Sequence, residues 1–250
     1  MVNPGRLNMK EFISSKEKKQ LYVNQMFSKI APRYDLVTAL LSYGQDRRWK
    51  RKLVQLADVQ PHHTILDLAC GTGDITFMLV KMATRGRVIG VDITPGMIEI
   101  AKRKEQQLGI DGIEFEVDDI TRLGFSENTF DRITVGYGVR NVPDIAYLLS
   151  EVFRMLKPGG RFLSLDFAKP FNPFFCRAYL GYLTIMGSTL GWVMHGDPDV
   201  YRYIPESLKL YPAQHGVQLL MDKAGFEDTG YLVFGGGITA INYGRKPCAP

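Results

Sequence analysis

Apolar residues along this chain follow two alternating rhythms. Short continuous runs at 64–70, 87–92, 113–118, 131–136 and 161–167 read as buried strands, while helical spacing recurs at 74–83, 95–108 and 143–156. That alternation predicts a doubly wound α/β fold, a mostly parallel sheet with helices on both faces. Thr94 and Pro95 read as N-cap and first residue of one helix, and Lys157-Pro-Gly-Gly160 reads as the stop of another before strand five. A helix at 216–225, followed by strands at 231–234 and 238–243, predicts a terminal hairpin that completes the sheet. Before the first strand, residues 15–57 look helical, with Tyr22, Met26, Phe27 and Ile30 on one face until Ala31-Pro-Arg-Tyr-Asp35 breaks the run. The expected layout is therefore one structural domain: an N-terminal helical cap at 1–60, then 61–250 with the sheet. The segment 169–211, rich in Tyr, Phe, Leu and Pro, is expected as a helical insertion covering the strand ends.

The strand-to-helix turn Thr64-Ile-Leu-Asp-Leu-Ala-Cys-Gly-Thr-Gly-Asp74 carries the most chemistry. Gly71 and Gly73 allow a tight turn and close backbone approach at the edge where doubly wound sheets bind nucleotides. A dinucleotide fingerprint G-x-G-x-x-G wants glycine at the third position, which here is Thr76. Asp67 and Asp74 would repel a pyrophosphate but suit a sulfonium and an ammonium, as in S-adenosyl-L-methionine with S-adenosylhomocysteine as product. Val88-Ile-Gly-Val-Asp92 ends in a carboxylate suited to ribose hydroxyls of either cofactor, and Asp118 and Asp119 follow strand three, where adenine would lie. Any one of these acids is commonplace as a cap. Their weight comes from all three strands ending at one sheet edge.

Composition narrows the field. The 250 residues are 45% hydrophobic, enough for one sizeable core, and 31 basic against 26 acidic side chains give a net charge of +5. That excess is too mild and scattered to argue for nucleic acid but tolerates an anionic membrane surface. The basic clusters are Lys16-Glu-Lys-Lys19 and Arg47-Arg-Trp-Lys-Arg-Lys52, each readable simply as a solvated helix face. Three cysteines and four histidines show no disulfide framework and no metal-ligand spacing, so a reducing compartment and no metal are expected. The start, Met-Val-Asn-Pro-Gly-Arg, has no secretory character, and a cytoplasmic location is expected. Residues 174–194 carry Arg177 as their one formal charge, yet Gly181, Gly187 and Gly191 weaken them as an isolated span; a lid over an apolar substrate fits better.

From about Gln25 to Lys246 the chain resembles the ubiquinone/menaquinone biosynthesis C-methyltransferase family. The resemblance is carried by Phe27-Ser-Lys-Ile-Ala-Pro-Arg-Tyr-Asp35, Gly44-Gln-Asp-Arg-Arg-Trp-Lys-Arg51, the glycine loop, Gly138-Val-Arg-Asn-Val142, Leu156-Lys-Pro-Gly-Gly160, Leu165-Asp-Phe-Ala-Lys-Pro170 and Tyr201-Arg-Tyr-Ile-Pro-Glu-Ser207. It implies a seven-stranded class I methyltransferase placing a methyl group on a ring carbon of a polyprenyl quinol, benzoquinol or naphthoquinol. It further implies cofactor contacts at Thr72, Asp92 with the adjoining Ile93, Asp119 with Ile120, and Gly136. Three positions depart from the family: Gly136 where serine is common, Asp46 where histidine is frequent, and Asp166 where glutamate is usual.

Carbon methylation needs an electron-rich ring, so the protein must stabilise developing phenolate charge, position the ring and exclude water. Arg140 and Asn141, following strand four, are the first candidates, although arginine is too basic to take a proton itself. Arg140 has a structural alternative as ion-pair partner of Asp119 or Asp144. Tyr34 is the third candidate, with plain packing at a helix corner as its alternative. A polyprenyl tail implies transient contact with the inner face of a membrane, through 171–194 and 47–52; self-association stays open. The competing functions are O- or N-methylation of another apolar small molecule, a non-catalytic S-adenosylmethionine-binding assembly protein and, more distantly, a nicotinamide-dependent reductase.

Overall fold

The structure, a computed structural model, describes residues 16–248, with side chains from Lys19 onward. The opening Met1–Arg6 and the side chains of Lys16 to Lys18 in the first basic cluster lie outside the described residues. Helices α1 (Lys16–Ile30), α2 (Tyr34–Leu41) and α3 (Asp46–Ala57) precede β1 (Thr64–Leu68). Then follow α4 (Asp74–Val80), β2 (Arg87–Asp92), α5 (Pro95–Leu108), β3 (Ile113–Val117), β4 (Phe130–Gly136), α6 (Ile145–Met155) and β5 (Leu156–Phe167). The chain closes with α7 (Pro173–His195), α8 (Asp199–Leu210), α9 (Ala213–Lys223), β6 (Glu227–Phe234) and β7 (Thr239–Arg245).

The seven strands run in the order β3-β2-β1-β4-β5-β7-β6. β7 is antiparallel to both neighbours, and the other pairings are parallel. The order reverses between β1 and β4, and that switch point opens a crevice beyond the strands' C-terminal ends. Both faces of the sheet are covered. One buries Leu66, Ile133 and Phe162 with Leu148 and Val152 of α6 and Val217 and Met221 of α9. The other buries Ile65, Leu163 and Ile241 with Trp49, Leu53 and Ala57 of α3 and Leu79 of α4. Burial on both sides explains why these strands read as continuous apolar runs.

Two local predictions need adjustment. Thr94 occupies the N-cap position of α5, with Pro95 next, but makes no side-chain cap bond; its N–H instead donates to Asp92 Oδ1 at 2.8 Å. Lys157–Gly160 lies within β5, because Leu156 already pairs with Phe130 before an irregularity restores register at Arg132 and Arg161.

The N-terminal helices form a separate cluster over the strand ends: Tyr22, Val23, Met26 and Ile30 of α1 and Val37 and Leu41 of α2 pack on Val200, Tyr201 and Tyr203 of α8. Thus the helical segment after β5 and the segment before β1 meet above the crevice. No helix among the described residues is long and apolar enough to cross a membrane. α7 is long enough but glycine-interrupted, with Gly187 and Gly191 packed against the backbone of Tyr201 and Asp197.

Arg132 anchors α3 to the sheet. Its guanidinium is buried and donates to the carbonyls of Ala57 and Asp58, terminal groups of α3 that have no partner inside the helix. Arg132→Met should lower unfolding free energy in urea by about 1–3 kcal/mol with an unchanged m-value, since the carbonyl of buried Ala57 and the neighbouring carbonyl of Asp58 lose a charged donor.

Candidate active site

At the C-terminal end of β1 the backbone passes through Ala69 at φ 50° and the loop closes at Gly73, φ +87°, the N-cap of α4. A Cβ on Gly73 would lie 2.8 Å from the Phe77 ring, so both conformation and space require glycine there. Behind the loop, Asp67 is fully buried. It accepts the Thr76 hydroxyl at 2.6 Å on one oxygen and the Thr134 hydroxyl at 2.7 Å on the other. The residue that breaks the dinucleotide pattern thus serves as the brace of this carboxylate. Asp67, placed by the sequence reading beside the loop as a cofactor contact, joins β1, β4 and α4 through these bonds and also borders a small cavity with Gly71, Thr72 and Gly136.

Asp92 ends β2 and is also buried, at the wall of a larger cavity. Its Oδ2 accepts the Gly71 N–H at 2.9 Å and its Oδ1 the Thr94 N–H at 2.8 Å. Each oxygen retains acceptor capacity. The cavity is also bordered by Ile93, Asp119, Ile120, Gly136 and Asn141. One oxygen of Asp119 takes both the N–H and the hydroxyl of Thr121, at 2.9 and 2.7 Å. Asp118 is exposed and is not among the lining residues. At Gly136 a Cβ would come 2.5 Å from Ile75 Cδ1, so a serine there would require Ile75 to shift. Thr72 turns away from this cavity: its hydroxyl donates to Asp35 at 2.6 Å and accepts from Lys104 at 3.0 Å.

Charged pairs hold the N-terminal helices against the loop. Lys104 of α5 contacts Asp35 and Asp74 at 2.6 and 3.2 Å. Lys50, buried on α3, contacts Asp46 and Asp74 at 2.9 and 2.8 Å. Burial opposes the Lys50 charge, but Asp74 and Asp46 outweigh it and hold its pKa above the ordinary lysine value. Asp46, a departure from the family, is accounted for: a carboxylate here is the i−4 partner of Lys50.

Arg140 and Asn141 sit in a 3-10 turn, Val139–Asn141, directly past β4. Just ahead of that turn, Tyr137 holds a left-handed φ of 59°, costly for a bulky side chain and concentrated at ligand sites. Arg140 is buried and pairs with Asp166 at the end of β5, not with Asp119 or Asp144. Asp166 also accepts the Arg140 N–H at 3.0 Å, Arg140 Nε donates to Ser207 Oγ of α8 at 3.0 Å, and the guanidinium lies 4.9 Å from the Phe167 ring centroid. Asn141 donates to the Tyr137 carbonyl at 3.1 Å, while its buried Oδ1 has no hydrogen-bond partner among the described residues. It faces no competitor for a ligand's donor.

A second small cavity, bordered by Met26, Tyr34, Val37, Arg140, Tyr203 and Ile204, shares Phe27, Tyr34 and Tyr137 with the first. The Tyr203 hydroxyl is buried with no hydrogen-bond partner among the described residues. Burial pushes the Tyr34 phenol up to about 12 despite the pull of Lys50 and Arg140, so it is a proton donor and not a base at neutral pH. Lys19 of α1 donates to the carbonyls of Arg140 and Val142, both at 2.9 Å; burial first and Arg140 second bring it down to about 8. Sequence reasoning missed Tyr137, Tyr203 and Lys19. The position directly after β4 marks Tyr137 by the same strand-end rule that found Asp92; Tyr203 lies in the Tyr201–Ser207 motif and Lys19 in the first basic cluster, but neither pattern says that the side chain reaches Arg140 or its chamber.

The arrangement is an acid-walled crevice at a sheet switch point, joined to an apolar chamber. The profile of the ubiE/COQ5 methyltransferase family matches residues 13–246. The chain belongs to that family. A demethylmenaquinone methyltransferase of Thermus thermophilus is 40% identical over 89% of this chain and its own entire length. The ubiquinone/menaquinone biosynthesis C-methyltransferase UbiE of Rickettsia akari is 39% identical over 92% of this chain and 94% of its own. Among solved structures, a SAM-dependent methyltransferase from Aquifex aeolicus superposes with TM-score 0.58 at 21% identity, covering 79% of this chain and 89% of its own. The [4+2]-cyclase SpnF reaches 0.62 at 15% identity, over 91% and 96%. Such distant likenesses speak for the class I methyltransferase fold alone, and the cyclase shows one fold serving another reaction.

Burial, outweighing the two threonine bonds, raises Asp67 from the ordinary carboxyl range to about 6. Its folded state therefore holds a proton that the unfolded chain releases near pH 4, so this group's contribution is full below that pH and is lost as pH rises through about 6. Asp67→Asn should lose about 3 kcal/mol less stability than the parent between pH 4 and 7 in denaturant titrations, since each tenfold change in proton affinity is worth about 1.4 kcal/mol. Identical pH slopes for the two proteins would refute this assignment.

Proposed function

We propose that this protein transfers a methyl group from S-adenosyl-L-methionine to a ring carbon of a polyprenyl quinol in respiratory quinone synthesis. The observation that carries the reading is the adjacency of two chambers: one walled by Asp92 and Asp119, the other by Arg140 and Tyr203, with Tyr34 and Tyr137 between them. The names of the Thermus and Rickettsia relatives supply the acceptor class.

The lining of the first chamber offers groups suited to an adenosine. Asp92 is held by two backbone N–H groups with acceptor capacity left for ribose hydroxyls, Asp119 keeps one oxygen open towards the adenine side, and Asn141 Oδ1 is an unpaired acceptor. Ile93, Ile120, Gly71 and Gly136 supply the apolar and backbone walls. Thr72 and Gly73 serve the loop's shape and its attachment to Asp35. When bound, S-adenosylmethionine supplies an electrophilic methyl group that needs no metal.

In the second chamber the work is electrostatic. Arg140 and Lys19 together outnumber Asp166 in charge, which favours a quinol hydroxyl as its phenolate and raises the electron density of the neighbouring ring carbons. Asp166 and Ser207 fix the guanidinium, so little reorganisation accompanies charge development. Tyr34, protonated, donates to a ring oxygen, and the Asn141 turn holds the ring beside the donor chamber. In the balance of the substitution, a carbon–methyl bond would replace the sulfur–methyl bond with release of S-adenosylhomocysteine, the quinol O–H proton would pass to solvent as the phenolate forms, and loss of the ring C–H proton to solvent would restore the aromatic ring as a phenolate, which is reprotonated on release.

The reading puts the protein in the cytoplasm, working at the inner face of a membrane. Phe171 and Phe174 are largely exposed near the start of α7, and Arg47, Arg48 and Arg51 project from α3. These are the proposed contact groups.

With labelled S-adenosylmethionine and a demethylated naphthoquinol or benzoquinol, the product should carry the label on carbon by mass spectrometry; O-methylation, or no product from either ring, defeats the proposal. Arg140→Lys keeps charge against Asp166 but loses the planar fork, and should cut turnover on the order of a hundredfold while S-adenosylhomocysteine affinity by calorimetry stays within about twofold. Arg48→Glu combined with Arg51→Glu should weaken flotation with phosphatidylglycerol-containing vesicles about tenfold, and leave binding to neutral vesicles unchanged.

A further inference from the structure

A larger groove lies beside the second chamber, outside the catalytic machinery. It encloses about 1350 Å³, against about 60 Å³ in the chamber. Ordinary ligand pockets span roughly 300–1,000 Å³, so the chamber alone cannot hold a ring and its oily chain. Leu41, Ser42, Trp49 and Phe167 border both spaces and form the partition between them. Beyond it, the groove runs between the outer face of α3, the first turns of α7 and the β6–β7 hairpin. Its apolar side is built from Phe175, Tyr179, Tyr182, Val233 and Ile238, and Arg48, Arg51 and Lys52 stand on the α3 side. Exposed Tyr43 stacks on Tyr182 with centroids 5.9 Å apart.

We infer that this groove is the binding site for the isoprenoid tail of the acceptor, which leaves the ring chamber through the Leu41–Ser42–Trp49–Phe167 partition. The inference rests on the quinol reading above, which supplies the chemistry of the tail, while the groove's size, apolar wall and shared partition supply its place. A chain tethered to a ring beside Arg140 has this partition as a shared wall with an apolar space large enough to receive it. The cationic α3 edge suits a site whose far end meets phosphate headgroups, where a long tail re-enters lipid. Apolar area withdrawn from water along the groove would supply affinity that the ring alone lacks.

Ala178 lies in the groove wall on the exposed face of α7 and does not border the ring chamber, so Ala178→Phe narrows the groove without touching Arg140, Tyr34 or Asp92. With an acceptor carrying several isoprene units, Ala178→Phe should lower kcat/KM by about tenfold or more, through KM; with a one-isoprene acceptor it should stay within about twofold. Equal losses for both acceptors, or none for the long one, would overturn the inference. A second readout needs no methyl transfer: in a Trp192→Phe background, farnesol should change the emission of Trp49, and Ala178→Phe should weaken that titration about tenfold. An unchanged Trp49 signal, or a dimer by ultracentrifugation that farnesol does not dissociate, would assign the groove to something other than the tail. If neither quinol is methylated by the unaltered protein while farnesol still titrates Trp49 as stated, the reaction assignment fails and the isoprenoid groove stands.

Discussion

A guanidinium with almost no access to water is the constraint around which the apolar chamber of this protein is organised. Arg140 survives burial because Asp166 neutralises it, Ser207 takes its Nε–H, and the Phe167 ring lies beneath it. Removing one member of such a pair leaves a bare buried charge, a loss on the order of 3–5 kcal/mol. The partners come from β5, the turn after β4, and α8, so a single charge ties the sheet edge to the helical segment above it. Lys19 extends the tie to α1 by gripping the carbonyls on both sides of Asn141.

The glycine loop is joined differently. There the N-terminal helices meet the glycine loop through partly exposed pairs, Lys104 with Asp35 and Asp74, while the deeper Lys50 is shared by Asp46 and Asp74. Exposed pairs contribute little net stability and are screened by salt. The attachment over the glycine loop is therefore softer than the hold on Arg140, which is the asymmetry the proposed site needs if one ligand enters and leaves from above while the other's surroundings stay fixed.

Much of this architecture was legible because the strands are buried on both faces. Continuous apolar runs such as Thr64–Leu68 and Arg87–Asp92 have one reasonable structural reading, and strand-end position then points to Asp92, Asp119 and Gly136 around a common cavity. Burial direction was not legible. Asp67 and Asp92 look alike in sequence, each an acid closing an apolar strand. The difference arises from Thr76 and Thr134, whose hydroxyls claim Asp67 and belong to elements far apart in the chain. Arg140 illustrates the same limit: nearby acids were its apparent partners, whereas Asp166, 26 residues on, becomes adjacent only when β5 pairs with β4. Lys19 and Tyr203 reach the site from opposite ends of the chain, and the basic cluster and motif that contain them do not say where their side chains end up.

Tyr34 and Tyr137 border both small chambers, and the Tyr137 backbone is held where a bulky residue has little freedom. A shared wall means that neither compartment can be filled without setting the shape of the other. On the proposed assignment of the chambers to donor and acceptor, the shared wall provides a route for heterotropic linkage: whatever factor one ligand adds to the affinity of the second, the second must return to the first.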